Sequence, residues 1–384
     1  MELRRCLAVL RRAFGVARRW GPYGRPGAVT TPRLVMDLVT VEHAYATFRS
    51  ALPEARVHYA MKCNPHPDIL RRLRRAGCSF EIASAAELAA LHAVGVRGRD
   101  VLFSNPVKAD LHIQAAHAAG VWRFAADSPE EVEKLARHAP GAAVYARLRT
   151  GGGGEVGSEG KFGVTAQVAA GLLRLARERG LRPYGLTFHV GSQMTEPQAW
   201  TPAIAECAAA MRELERDGIT LTMVDVGGGF PARYDVDVPD LSEYGKVIRS
   251  AVESLPYRVE LVVEPGRALV AEAGTMMATV IGLAERDGAR WAHLDVGAFN
   301  GLMEALESGN QLRFPVTDPR PSGPRRRYHL TGPSCDSQDT ILYDVELSAD
   351  LGVGDAVLIH VAGAYTSAYA STFNGFPVPA VRCR

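Results

Sequence analysis

Short runs of β-branched and apolar residues alternate with longer segments of helical spacing through the middle of the chain. Eight such runs predict strands over residues 57–61, 79–83, 101–104, 123–126, 143–149, 184–189, 222–226 and 260–263. Apolar residues three or four positions apart predict helices between them, among them 85–94, 129–137, 166–179 and 203–216. Eight strands alternating with helices indicate an α/β fold, and eight is the number that closes a (β/α)8 TIM-like barrel. An open doubly wound sheet is the alternative, but no G-x-G-x-x-G motif follows the first strand.

After about residue 271 the pattern changes. Strand-like runs at 276–281, 291–295, 328–331 and 356–361 have few helices between them, and another run at 34–38 precedes the barrel. The sequence therefore predicts three parts. Residues 39–270 form the barrel, 271–384 form a β-rich domain (a β-barrel or sandwich), and 1–38 hold a basic helix and a strand that joins the β-rich domain.

Composition and charge exclude several classes of protein. Lys plus Arg is 44 and Asp plus Glu is 42 among 384 residues, and this balance gives no electrostatic reason to expect nucleic-acid binding. No long uncharged apolar run is present, so no membrane span is expected. Six cysteines are scattered without disulfide-like or metal-like spacing, which favours a reducing, cytoplasmic location and no metal.

The first 26 residues have a pattern of their own. Arg pairs recur at 4/5, 11/12 and 18/19, with apolar residues between them at helical spacing. This pattern is typical of a basic amphipathic helix. The helix either lies solvated on the domain, or it offers a docking surface for an acidic partner or a lipid headgroup.

Polar and glycine residues collect at the predicted strand ends, where a barrel of this kind has its active site. The residues concerned are Lys62, Arg147, His189, Ser192, Asp225, Gly227, Gly228, Gly229, Glu264, Gly266 and Arg267. Consecutive glycines let backbone N–H groups approach an anion, although a tight βα turn needs them equally. A lysine that leaves an apolar strand end is expected to be partly desolvated, which lowers its pKa and favours a covalent bond to a carbonyl carbon. With Glu264 on a pyridine nitrogen and His189 on the ring, the set describes a pyridoxal 5′-phosphate (PLP) site.

Eight ordered motifs make this pattern recognisable. They are YAMKCNP (59–65), FEIAS (80–84), FHVGSQ (188–193), VDVGGGFP (224–231), EPGR (264–267), LDVGAFNGLMEAL (294–306), GPSCDSQD (332–339) and GAYTSAYASTFNGF (363–376). From about residue 31 to 379 the chain resembles the ornithine/lysine/diaminopimelate decarboxylases, PLP enzymes with the alanine-racemase-like fold. The last four motifs are most similar to the bacterial ornithine decarboxylases.

The resemblance implies a role for each matching residue. Lys62 would bond to PLP, Glu81 and Arg147 would support the lysine and the ring, His189 would stack on the ring, and Glu264 would pair with its nitrogen. The phosphate would be held by Ser192, Gly228, Gly229, Gly266, Arg267 and Tyr365. Cys335, the expected proton donor to the α-carbon, and Asp336 would enter from the second subunit of a homodimer. Phe373 and Asn374 are expected beside the site.

Two acids indicate the substrate. Asp336 and Glu304 suit a distal ammonium, as in L-ornithine or L-lysine, and the segment around Glu304 has no Arg of the kind that holds a distal carboxylate in diaminopimelate decarboxylases. Glu304 is equally well explained as a solvated helix residue. Tyr365 and Phe373 complete the expected substrate pocket.

Other functions stay open at this stage. Ala298 stands where the bacterial enzymes tend to carry Lys, and Met61 replaces a commoner Val. These departures leave room for a modified or carrier-bound amino acid as substrate, besides a diaminopimelate decarboxylase. A PLP racemase is disfavoured because resembling racemases place an Arg at the position of Glu264. A non-catalytic relative that binds a partner is disfavoured because the chain retains Lys62 and Cys335.

Overall fold

The computed structural model describes residues 30–151, 160–319 and 322–384. Within this range the chain forms two compact units. One is Asp37–Ala273, and the other combines the segment that ends at Met36, which contains strand β1 (Arg33–Met36), with Gly274–Arg382. The predicted basic helix over residues 1–26 lies outside the described residues.

The first unit is a closed barrel of eight parallel strands that pair in chain order, which confirms the predicted fold class. The strands are β2 (Ala55–Ala60), β3 (Ser79–Ile82), β4 (Val101–Phe103), β5 (Arg123–Ala126), β6 (Ala143–Arg147), β7 (Arg182–Thr187), β8 (Met223–Asp225) and β9 (Glu260–Val263). The barrel closes between β2 and β9, where Ala55 pairs with Leu261. The alternative of an open doubly wound sheet is therefore wrong.

Helices follow the strands around the barrel. They are α1 (Leu38–Ala51), α2 (Pro67–Arg75), α3 (Ala85–Ala93), α4 (Asp110–Ala118), α5 (Pro129–His138), α6 (Ala166–Glu178), α7 (Trp200–Arg216), α8 (Leu241–Val252) and α9 (Arg267–Val270). Five of these begin at a capping side chain: Asp37, Ser84, Ser128 and Thr165 each accept a hydrogen bond from the backbone N–H three residues later, and His66 accepts from the N–H of Asp68. Within the described part of the chain, no helix has the length and apolar character needed to cross a membrane.

Apolar packing holds the barrel from inside and outside. Inside, residues from β4, β5, β6, β8 and β9 form one buried cluster of Leu102, Ala125, Tyr145, Met223 and Val262. Outside, Trp200 of α7 stacks on Phe230 with ring centroids 4.8 Å apart, and Phe48 of α1 meets the same Phe230 ring edge-on. The barrel wall is therefore packed on both faces by apolar side chains.

The second unit is an eight-stranded mixed sheet with a short α-helix, α10 (Glu304–Glu307), and a 3-10 helix at Phe373–Gly375. Besides β1, its strands are β10 (Gly274–Arg286), β11 (Ala289–Leu294), β12 (Val316–Thr317), β13 (Arg325–Thr331), β14 (Thr340–Ser348), β15 (Ala356–His360) and β16 (Ala380–Cys383). The sequence did not predict β12, β14 or β16. In β14 the polar residues and the positive φ of Asp344 break the alternation that marks a half-buried strand.

Candidate active site

Lys62 lies just past the C-terminal end of β2, on a short 3-10 helix that spans Met61–Cys63. Met61 and Cys63 are fully buried, whereas Lys62 itself is exposed. In the single chain, the two neighbours of Lys62 therefore pack into the barrel wall while the Lys62 side chain is open to solvent, and partial desolvation of its amine stays a prediction.

Three carboxyl groups gather at the same ends of the strands. Glu81 of β3 and Asp225 of β8 are buried, and Glu264 follows β9 half-buried. Loss of water raises the pKa of Glu81 to about 8, partly opposed by Lys62. It also raises the pKa of Glu264 to about 8, with the charge of Asp225 as the second cause. The pKa of Asp225 rises less, to about 6, because Gly227 N–H and the Thr187 hydroxyl donate to its carboxylate, each at 2.9 Å.

Two hydroxyl groups that the sequence analysis did not select complete this cluster. The Ser104 hydroxyl, just after β4, contacts Oε1 of Glu264 and lies 2.8 Å from the Tyr145 hydroxyl of β6. Tyr145 is fully buried, and loss of water raises its pKa well above 10.0, so it remains a protonated donor. In the sequence, only the positions of Ser104 and Tyr145 could have indicated a role in the site, because Ser104 directly follows a barrel strand and Tyr145 lies within one.

His189 and Arg147 flank the cluster. Loss of water and the positive charge of Arg147 lower the pKa of His189 to about 3, so its imidazole is neutral at physiological pH. Arg147, at the end of β6, is half-buried and stacks over the Phe162 ring at 5.3 Å. A cavity of about 200 Å³ beside these two residues is lined by Arg147, Leu148, Arg149, Thr150, Gly151, Gly160, Phe162 and His189.

The glycine-rich loop after β8 packs directly on the two neighbouring loops. Gly229 has a φ of +100°, and a Cβ there would overlap the carbonyl oxygen of Gly191. A Cβ on Gly228 would lie 2.6 Å from the Glu264 carbonyl oxygen and 3.8 Å from the His189 ring. The loop needs glycine for this close approach, and the same approach brings its backbone beside Glu264 and His189.

The residues after β9 lie close to the lysine. A Cβ on Gly266 would be 3.0 Å from the Cβ of Cys63, the residue after Lys62. Arg267, the first residue of α9, is buried and donates to the Tyr234 hydroxyl at 2.7 Å. Ser192 is half-buried in the loop after β7. The barrel unit thus gathers an amine, a carboxyl, an imidazole and a glycine-lined loop at one rim.

Cys335 and Asp336 lie in the second unit, on the turn between β13 and β14. Cys335 is exposed, and its Sγ accepts a hydrogen bond from Nδ2 of Asn374 at 3.8 Å. Asp336 is half-buried, and its Oδ1 accepts from the backbone N–H of Gln338 at 2.9 Å. Oδ1 of Asp336 therefore also stabilises the turn on which Asp336 lies.

Glu304, Tyr365 and Phe373 belong to the same unit. Glu304 is only 3% exposed, so the alternative that it is a solvated helix residue is wrong. Tyr365 is half-buried with a positive φ of 51° and packs against Tyr369 with ring centroids 5.6 Å apart. Phe373 is 44% exposed and contacts Phe299.

Asp339 is a further residue of this unit that the sequence analysis missed. It is buried, and its carboxylate accepts hydrogen bonds from Ala298 N–H, Ser334 N–H and the Ser334 hydroxyl. A side chain at Gly297 or Gly332 would overlap this carboxylate. The signal was present in the sequence, since Asp339 is a second acid within the GPSCDSQD motif.

Comparisons with known proteins identify the family of the chain. Residues 38–271 match the sequence profile of the pyridoxal-dependent decarboxylases, specifically the pyridoxal binding domain. A lysine/ornithine decarboxylase of Selenomonas ruminantium is 36% identical over 359 residues, which cover 91% of this chain and 88% of the relative.

Solved structures of lysine/ornithine decarboxylases are also similar to this chain. The crystal structure of SrLDC with PLP and cadaverine has a TM-score of 0.85 and 33% identity, covering 97% of this chain and 93% of that one. A lysine/ornithine decarboxylase from Vibrio vulnificus, complexed with putrescine, has a TM-score of 0.85 and 34% identity, covering 92% and 94%.

Proposed function

The chain belongs to the family of pyridoxal-dependent decarboxylases, and from that premise we propose that it removes the α-carboxylate of L-ornithine or L-lysine with PLP as its cofactor. The observation that carries the proposal is the Glu264 carboxyl, which lies within the electrostatic reach of Lys62 at the rim of the barrel. A carboxyl at this place would hold a pyridine nitrogen in its protonated form, which is the form that suits decarboxylation.

The residues of the barrel rim fit PLP. Oε2 of Glu81 is buried and has no hydrogen-bond partner among the described residues, so a polar ligand atom beside it would satisfy it. Lys62 offers an amine for the cofactor aldehyde, and Gly266 lies against the residue next to it. The phosphate would be held by Ser192, Gly228, Gly229, Gly266, Arg267 and Tyr365.

When bound, PLP supplies an electron-withdrawing ring that delocalises the electron pair left by the departing carbon dioxide. Glu264 would hold a proton on the ring nitrogen. Because the pKa of Glu264 is about 8 without the cofactor, its carboxyl carries a proton at neutral pH and can bring it to that nitrogen. His189 is neutral and can therefore lie against the ring without adding a second positive charge. Arg147 and Glu81 would support Lys62.

We further propose a homodimer in which Cys335 and Asp336 of one subunit complete the site of the other. The exposure of Cys335 in the single chain supports this, because a proton donor must be shielded from water when it acts. The Cys335 thiol would deliver its proton to the α-carbon, at the position that the carboxylate leaves, and would regain a proton from solvent after product release.

Acidic residues of the second unit support a basic substrate. Asp336 would accept the distal ammonium, and the buried Glu304 would add a second negative charge. Phe373 and Tyr365 would line the aliphatic part of the substrate. A cytoplasmic location remains a prediction, supported by the five described cysteines being free thiols. An acidic partner for the Arg-rich first 26 residues also remains a prediction.

Release of carbon dioxide from a panel of ornithine, lysine, arginine, diaminopimelate and glutamate tests the proposal, with Lys62→Ala as the inactive control. We expect release from ornithine or lysine only. Release from diaminopimelate would contradict the assignment of the acids. Inverted α-carbon configuration without carbon dioxide would identify a racemase. If no free amino acid reacts, a modified or carrier-bound amino acid becomes the leading substrate.

A further inference from the structure

Glu264 is the end of a buried chain of hydroxyl groups. The Ser104 hydroxyl contacts Oε1 of Glu264, and the Tyr145 hydroxyl lies 2.8 Å from the Ser104 oxygen. Ser104 is 8% exposed and Tyr145 is fully buried, so bulk water does not compete for these contacts.

The hydrogen-bond direction follows from the number of protons. A serine hydroxyl has one hydrogen, and a carboxylate oxygen only accepts. When Glu264 is ionised, the Ser104 hydrogen must point to Oε1, and the Ser104 oxygen is left to accept from Tyr145. Tyr145 keeps its own hydrogen because its pKa is raised well above 10.0 by loss of water. The chain therefore runs from Tyr145 through Ser104 to Glu264.

Ser104 is held in place independently of Glu264. Its backbone N–H donates to Ile82 O at 3.1 Å, which extends the barrel ladder by one residue. The loop that follows is anchored by Lys108, whose buried Nζ donates to Ala125 O at 2.6 Å and pairs with Glu131 at 2.8 Å. The hydroxyl thus projects from a fixed backbone, as a positioning group requires.

Charged groups around Glu264 act on it in other ways. Asp225, on β8, accepts from Thr187 and from Gly227 N–H, and its hydrogen bond with the Glu264 carboxyl raises the pKa of Glu264, the reverse of the effect of Ser104. Lys62, Glu81 and Arg147 interact with Glu264 through their charges, each from a different strand end. Beside these charged groups, Ser104 is a neutral donor to the Glu264 carboxylate.

We propose that Ser104 and Tyr145 are positioning residues that hold Oε1 of Glu264, favour its ionised form and so keep a proton on the ring nitrogen of PLP. The inference rests on the proposed role of Glu264. Without the Ser104 hydroxyl, the Glu264 carboxylate is a stronger base and draws that proton back from the ring nitrogen.

The ¹⁵N resonance of PLP labelled at the ring nitrogen, recorded in the holoenzyme, measures where this proton lies. We expect Ser104→Ala to move the resonance towards that of an unprotonated pyridine and to lower kcat about tenfold, with KM unchanged. Tyr145→Phe should move it in the same direction by less, and it carries the test if Ser104→Ala fails to fold. Ser104→Thr keeps a hydroxyl and should restore the wild-type resonance.

Two further variants separate this inference from the function it rests on. Ser50→Ala, which removes an exposed hydroxyl from α1, should leave the resonance unchanged. If Glu264→Gln moves the resonance while Ser104→Ala and Tyr145→Phe do not, the hydroxyl chain has no such role and the proposed function stands. If Glu264→Gln leaves the resonance in place, the assigned role of Glu264 fails and the hydroxyl chain fails with it.

Discussion

Asp339 binds Ser334 twice through one carboxylate oxygen, Oδ2, which accepts from the Ser334 backbone N–H at 3.0 Å and from its hydroxyl at 2.6 Å. Oδ1 accepts from Ala298 N–H at 2.8 Å. The turn that carries Cys335 is therefore tied to a second motif, the segment 294–306, by one buried side chain. A charge-assisted bond of this kind fixes direction as well as distance.

Asp339→Ala should lower the free energy of unfolding by about 1–3 kcal/mol, because it leaves buried backbone donors without an acceptor. Urea denaturation measures this loss, and the reaction rate of the Cys335 thiol with a disulfide reagent should rise as the turn loosens. Ser337→Ala, at an exposed position of the same turn, is the matched control. Equal stability of Asp339→Ala and the control would show that the carboxylate does not hold the turn.

Borohydride reduction of the purified holoenzyme should attach PLP to the peptide that contains Lys62. Lys62 lies directly after β2, and its neighbours Met61 and Cys63 are buried in the barrel wall. The backbone that carries the Lys62 amine is therefore held in one position. Peptide mass spectrometry gives the position of the label. Lys62→Arg should abolish labelling, and a label on any other lysine would contradict the assignment.

The barrel was predictable because each strand is short, apolar and followed by a polar or glycine residue at the rim. Lys62, His189 and Glu264 were found in this way, since each directly follows or ends a predicted strand. Ser104 and Tyr145 were not, because a serine after a strand and a tyrosine within one are ordinary in any barrel. Their importance arises from the hydrogen bond between them, which joins residues 41 positions apart.

The burial of individual side chains also decided questions that the sequence left open. Glu304 in a short helical segment fits solvent as well as a pocket, and only the folded chain shows that it is 3% exposed. The opposite holds for Lys62, whose apolar neighbours suggested burial. Side-chain burial depends on residues distant in the chain, and local periodicity does not contain that information.

Mixing two inactive variants should restore activity if the site is shared between subunits. Lys62→Ala and Cys335→Ala each remove one half, and a hybrid dimer keeps one intact site. Random exchange makes half of the dimers hybrids, so we expect up to about one quarter of the wild-type rate of carbon dioxide release. Subunit exchange is verified separately by mass. Verified exchange without recovered activity would contradict the shared site.

The stability of the cofactor-free protein should fall as the pH rises from 6.5 to 8. In the folded protein the pKa of Glu81 and of Glu264 is about 8, against an ordinary value of 4.5, so the folded state binds more protons than the unfolded state in this range. Each such group gives a slope of at most about 1.4 kcal/mol per pH unit. The pKa of His58 and of His189 is lowered to about 3 and that of Lys108 to about 8, and these groups act in the opposite direction, the histidines below about pH 7 and Lys108 near pH 8, each by less than one of the two carboxyl groups over this interval.

Urea denaturation of the cofactor-free protein at pH 6.5 and pH 8 measures this decline. Glu81→Gln cannot release a proton and should remove half of the decline or more, because one of the two groups that cause it is lost while the opposing groups remain. Glu178→Gln, at an exposed position of α6, should leave the decline unchanged. A wild-type stability that rises over this interval would show that the carboxyl groups are ionised in the folded protein.

Specificity for a basic substrate should depend on the charge of Asp336. Asp336→Asn keeps Oδ1 as the acceptor for Gln338 N–H and removes only the charge, which makes it the sharpest variant. A charge-assisted hydrogen bond is worth about 1.5–3 kcal/mol, so kcat/KM for ornithine or lysine should fall about 10- to 140-fold. Glu304→Gln should lower kcat/KM by a smaller factor, because Glu304 is proposed only to assist Asp336. The turn remains formed in Asp336→Asn, so an unchanged kcat/KM there would mean that the distal ammonium binds elsewhere.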